Sequence, residues 1–242
     1  MKASPAHQKE LLRLQEHDSR LNRIAHAVKN LPQDKQLLEL KPQAEQLRAR
    51  LVEATGRAED ARAEQTRFES DLAVVAQRLE RDTARSQTSS SSKDIEALEG
   101  EIESLRRRQR TLEDAELEVM ERLERAEGEI AAIRAEQEQL QASVDSLTAA
   151  RAEEIARLER QRDDATADRM VVAQGIPEEL LAVYERQRAR YGIGAAAVRG
   201  GVNLGSNLTL APNDLAAVRQ ADPDDVIIDG ESGAILVRDE NS

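Results

Sequence analysis

The chain has 242 residues, of which 34% are charged and 1% aromatic; its formal net charge is −12 and it contains no cysteine. These values exclude disulfides and thiolate metal sites, argue against nucleic acid gripped by the whole surface, and supply too little aromatic bulk for a globular core of this length. No stretch approaches the ~20 apolar residues of a membrane span, and the N-terminus lacks a signal-peptide apolar core, so a cytoplasmic protein without a membrane partner is expected.

Residues 4–31 read as a first helical segment. Leu14, His17, Leu21, Ile24, Val28 and Leu31 recur at steps of three and four, which keeps them on one face. Pro32 and Pro42 follow, and proline removes a backbone donor and crowds the preceding turn, so a kink is expected near 32–42. Pairing across to the later helix is read as Val28 with Arg151, Ile24 with Ile155 and Leu21 with Leu158.

Two long seams come next. Leu40, Ala44, Leu47, Leu51, Ala54, Ala58, Ala61, Gln65, Phe68, Leu72, Val75 and Leu79 alternate steps of four and three. Leu98, Ile102, Leu105, Gln109, Leu112, Glu116, Val119, Leu123, Ala126, Ile130, Ile133 and Gln137 do the same. Such a rhythm averages 3.5 residues and turns one stripe toward a partner helix. When paired numbers add to 177, Ala58 faces Val119, Ala54 faces Leu123 and Phe68 faces Gln109. The reversal then falls between Thr88 and Ser89, inside a Ser/Thr run, with the turn near 86–92. The fold class follows: mainly α, a long antiparallel coiled-coil hairpin whose mirrored arms each span on the order of 65–70 Å.

The second long helix begins after the serines, with Ser91 or Ser92 as N-cap and Asp94 favoured by the helix dipole. It runs to about Gln174, and Gly175 is its stop. From Ile176 the character changes. A short amphipathic helix, Glu178 to Arg190, precedes clustered glycines. Short apolar runs follow at Ala195–Val198, Leu208–Leu210, Val226–Ile228 and Ile235–Val237, with one small helix from Pro212 to Arg219. Residues 1–175 are therefore expected to form the hairpin, and residues 176–242 a short helix plus a small β-rich domain.

Lys93-Asp94-Ile95-Glu96-Ala97-Leu98, Tyr184-Glu185-Arg186 and the stretch Gly192 to Gly201 carry a resemblance. The chain resembles bacterial coiled-coil proteins with a C-terminal C4-type zinc ribbon. The resemblance implies two Cys-x-x-Cys knuckles, and the matching positions here are Asn203 with Ser206 and Asp229 with Ser232. All four thiolates are missing. One carboxylate and three weak neutral oxygens fall short of a structural zinc site, and short of the six or more oxygens a hard cation takes. The expectation is a zinc-ribbon-like domain without metal, held by turn hydrogen bonds, and no cofactor.

Other candidates for chemistry are weak. His7, His17 and His26 are never three or four apart, so no helix-based metal pair forms, and His17 fits a seam position. Gly192-Ile193-Gly194 imitates a dinucleotide loop but follows a helix rather than a strand, which makes it a turn. The carboxylates lie on hydrated helices, where nothing shifts them toward acid–base work. No catalytic residue is expected. Arg106, Arg107, Arg108 and Arg110 spread round the second helix and read as a solvated run paired to nearby Glu. The expected function is a non-enzymatic adaptor, a monomer with dimerisation through outer faces as the alternative, that presents the small domain to a protein partner; the resemblance implies as much, since some relatives look like adaptors for a sigma factor or export machinery. The alternative is an RNA- or DNA-binding regulator using Arg186, Arg188, Arg190 and Arg199.

Overall fold

The computed structural model of the chain describes residues 1–238. The described elements are α1 (Pro5–Lys29), α2 (Pro32–Thr88), α3 (Ser92–Gln174), α4 (Glu178–Tyr191), β1 (Ala195–Arg199), β2 (Val202–Asn203), β3 (Leu208–Thr209), α5 (Pro212–Gln220), β4 (Ile227–Ile228) and β5 (Ile235–Arg238). A long helical hairpin followed by a small strand-containing region is the architecture expected from the seams. The chain divides into two compact units, Lys35–Thr148 and Met1–Asp34 with Ala149–Ser242. The boundary expected after residue 175 therefore falls inside the second unit, whose core takes side chains from both sides of it.

In the first unit, α2 and α3 run antiparallel, and no residue of the two predicted seams is exposed. The register, however, differs from the mirrored one. Ala54 packs with Ile133 in a cluster that also holds Leu47, Leu51, Ile130 and Leu140. Ion pairs cross the seam from Arg50 to Glu136, Arg57 to Glu129 and Arg122 to Glu64. Facing residue numbers thus add to about 187, ten more than the mirror predicts. A seam repeat fixes which stripe is buried but tolerates sliding along it. Flanking charges select the offset. At 177, Glu64 would face Glu113 and Arg57 would face Met120; in the observed ion pairs, whose numbers add to 186, each meets an opposite charge.

The turn explains the slip. Thr88 ends α2 with its hydroxyl bonded back to Ala84 O at 3.1 Å, and Ser91 caps α3 by accepting the Asp94 N–H at 3.4 Å. The link Ser89–Ser91 is centred on residue 90, whereas the register is centred between 93 and 94. The first turns of α3 therefore rise past the end of α2 before pairing begins. A reversal assumed to be symmetric misses that offset.

In the second unit, α1 ends at Asn30, which donates its side-chain amide to His26 O at 2.8 Å, and Pro32 opens α2. The predicted kink is a full break at residues 30–31. Pro42 lies inside α2 without ending it. Ile24, Val28 and Leu31 pack with Ile155 and Leu158. Arg151 pairs with Asp34, not with Val28 as the sequence suggests.

The core of this unit gathers Leu11 and Leu14 of α1, Leu180 and Tyr184 of α4, Ala195 of β1, and Ile235 and Val237 of β5. Strand order is β3-β2-β1-β5-β4, with β1 and β5 parallel and the other pairs antiparallel. The strands lie where the apolar runs predict them; β2, two residues long, is an addition. Glycine sets the approach to the sheet. Gly192 closes α4 at φ 83°, and a Cβ on Gly194 would stand 2.4 Å from the Tyr184 ring. The dinucleotide-like Gly192-Ile193-Gly194 is accordingly a helix stop and a close approach.

Candidate functional site

Each of two hairpins of the sheet ends in a turn built on one side chain. In the β2–β3 turn, Asn203 Oδ1 accepts the N–H groups of Gly205 at 2.9 Å and Ser206 at 3.3 Å. In the β4–β5 turn, Asp229 accepts the N–H groups of Glu231 at 3.4 Å and Ser232 at 3.3 Å. Asn and Asp suit this role because their short side chains reach the backbone two and three residues on.

The two turns are joined to each other. Asn203 Nδ2 donates to Asp229 Oδ2 at 2.9 Å and to Ser232 Oγ at 3.0 Å, and the Ser232 hydroxyl donates to Asp229. Asn203 and Asp229 are 0% and 6% exposed, so these bonds form away from water, where an unpaired polar group is costly. Burial pushes the Asp229 carboxyl upward, but donation from Ser232, Asn203 and the two backbone N–H groups outweighs it and holds the group below its usual value. Three of the four positions matched to zinc ligands thus converge directly, and Ser206 joins through its backbone. The Ser206 hydroxyl is buried without a hydrogen-bond partner. Among the described residues no group of three or more His, Asp or Glu is placed to hold a metal. Two carboxylate oxygens, one amide and two hydroxyls make a poor donor set for Zn²⁺.

A second polar cluster lies beneath α4. Asp18 of α1 has a fully buried side chain and receives Arg169 at 2.7 Å, Arg188 at 3.1 Å and the Tyr184 hydroxyl at 2.7 Å. Glu185 completes it by pairing with both arginines. Burial, then the bond to Asp18, holds the Tyr184 phenol above its ordinary value; the same carboxylate raises Arg169. Gln15 Oε1 accepts the backbone N–H of Gly194 at 2.7 Å, fixing the entry to β1. No sequence motif flags these residues, because Asp18 and Arg169 are 151 positions apart and only the fold brings them together.

This cluster redefines the arginines suggested for nucleic acid. Arg188 is committed to Asp18 and Glu185. Arg190 is exposed and lies over the Tyr191 ring at 5.1 Å. Arg186 is exposed on α4, and Arg199 is exposed at the end of β1. His17 is half-buried on α1, consistent with its seam position. No described helix is long and apolar enough to cross a membrane.

Comparison with known proteins matches residues 14–192 to the CT398-like coiled coil hairpin domain family. The Mycobacterium tuberculosis protein Rv2229c is 33% identical over 239 residues, covering 98% of both chains. A solved structure from Mycobacterium smegmatis superposes with a TM-score of 0.86 at 33% identity, over 98% of this chain and 100% of that one. CT398 from Chlamydia trachomatis shares the fold at a TM-score of 0.65 and 16% identity, over 97% of this chain and 98% of its own. The family match ends before Asn203, so the zinc-ribbon likeness of the last fifty residues is supported by none of these comparisons.

Proposed function

The chain belongs to the CT398-like coiled coil hairpin domain family, and from that premise we propose that it is a non-enzymatic adaptor. Its small sheet domain, a ribbon-like fold closed by hydrogen bonds instead of metal, presents a surface to a protein partner. The hairpin acts as its scaffold. The supporting observation is that the seam of α2 and α3 is consumed internally, while Leu204, Leu208 and Ile228 stand 45%, 54% and 46% exposed on the sheet domain. Apolar side chains on rigidly tied turns are typical of docking surfaces, since little ordering cost accompanies binding. The buried polar groups of the cluster around Asp18 are paired to one another. A monomer in the cytoplasm is part of the same reading.

Copurification tests it. One defined protein should accompany the full chain in stoichiometric amount, insensitive to nuclease. The second reading, a nucleic-acid regulator, draws support from the exposure of Arg186 and Arg190. Its signature is an affinity that falls steeply with salt, which protein docking through leucines lacks.

A further inference from the structure

One flank of the hairpin carries three opposite-charge pairs at heptad steps and, further along, a like-charge pair. Arg50 faces Glu136, Arg57 faces Glu129 and Glu64 faces Arg122, each one heptad after the last. Two heptads beyond Glu64 and Arg122 the same register sets Arg78 against Arg108. Like charges at such flanking positions are destabilising. Arg81 and Arg85 lie three and seven residues after Arg78 and so share its stripe of α2. All four arginines are exposed. Arg85 reaches only the buried Asp82, at 3.8 Å; Arg78, Arg81 and Arg108 make no ion pair among the described residues. The run around residues 106–110 is solvated as expected, but its pairing to Glu is partial: Arg107 takes Glu103, and Arg106, Arg108 and Arg110 make no ion pair among the described residues.

We propose that Arg78, Arg81, Arg85 and Arg108 form a docking surface for an acidic helical segment of a partner protein, with carboxylates at the i, i+3, i+7 spacing of the arginines. Charge complementarity identifies the occupant. In a chain of net charge −12, four cations gathered within about 10 Å of helix are an exception, and guanidinium groups pair carboxylates bidentately. The patch is short, because Asp71 lies one heptad before Arg78 and Glu101, opposite Arg85 in the same register, closes its other end. A polynucleotide would run from the patch onto that acidic surface and be repelled, whereas two turns of acidic helix would not. The face also lacks stacking aromatics, which single strands use. The arginines belong to the unit Lys35–Thr148 and the sheet domain to the other unit, so each docking site is tested by its own variants.

The test uses the full chain and a labelled alanine-based helical peptide bearing Glu at i, i+3 and i+7, with the Gln version as control, followed by fluorescence anisotropy at low and high salt. The Glu peptide should bind and the Gln peptide should not. R78A/R81A/R108A should weaken binding by about tenfold or more, as losing charge-assisted bonds requires, while R50A/R122A should leave it unchanged. R78E should abolish binding and raise the thermal midpoint, since it completes the ion-pair pattern with Arg108. Equal loss in R50A/R122A, absence of binding, a lowered midpoint in R78E, or tighter arginine-dependent binding of RNA or duplex DNA of matched charge would each overturn the proposal.

Discussion

Ala54 packs against Ile133 across the hairpin seam. That contact places small against large and brings the flanking Arg57 beside Glu129. Cysteines at these two positions should therefore be joined by a short bismaleimide within one chain, whereas cysteines at Ala54 and Leu123 should not. Mass spectrometry of the denatured product reads the result. Joining at 54 and 123 would refute the register, and joining between chains alone would refute the monomer.

The stripe, the turn and the order of elements were readable in the sequence because each depends on local periodicity or capping. The axial register was not. Sliding one helix by ten residues keeps every seam residue on the seam, so hydrophobic pattern is nearly silent about it. Pairs such as Glu64 with Arg122 carried the missing information, and a search for opposite charges at flanking positions would have found it. Asn203, Ser206, Asp229 and Ser232 are singled out by a resemblance, and the family match does not extend to this part of the chain. The join from Asn203 to Asp229 follows from strand pairing across 26 residues. Asp18 was invisible for the same reason, since an acidic residue in an amphipathic helix ordinarily points to water.

Metal content follows from the chemistry of the joined turns. Protein purified without chelator should carry well under one zinc per chain by elemental analysis, and a strong chelator should leave its thermal unfolding unchanged. Stoichiometric zinc would mean that Asp229 recruits ligands from elsewhere.

Acid should loosen the same join. The Asp229 carboxyl is held below its ordinary value in the folded protein, so its stabilisation is complete above the unfolded value, near 4, and is lost as pH falls through the folded one. D229N places an amide against the Asn203 amide and should destabilise the domain at pH 7 by about 1–3 kcal/mol. The gap between wild type and variant should narrow below about pH 4. A gap constant from pH 7 to pH 3 in thermal unfolding would show that the ionised carboxylate contributes nothing.

Removing the carboxylate of Asp18 strands Arg169, Arg188 and the Tyr184 hydroxyl. D18A should cost about 3–5 kcal/mol, the scale for breaking a buried ion pair. Hydrogen exchange should accelerate in α4 and β1, while the middle of α2 and α3, within Lys35–Thr148, keeps its protection. Uniform acceleration across both compact units would contradict the separate core described for each.

Docking through the sheet domain is best tested by changing its exposed leucines, because cutting the chain after Gly175 would also strip Leu11 and Leu14 of their core partners. L204D/L208D alters two side chains that are 45% and 54% exposed, outside the Asn203–Asp229 join. The decisive measurement is quantitative copurification of the tagged full chain from its native host, wild type against L204D/L208D, with and without nuclease. The account predicts one stoichiometric protein partner that survives nuclease and is lost in the double variant while the far-ultraviolet circular dichroism stays unchanged. Full retention of the partner by L204D/L208D, or its release by nuclease, would contradict it.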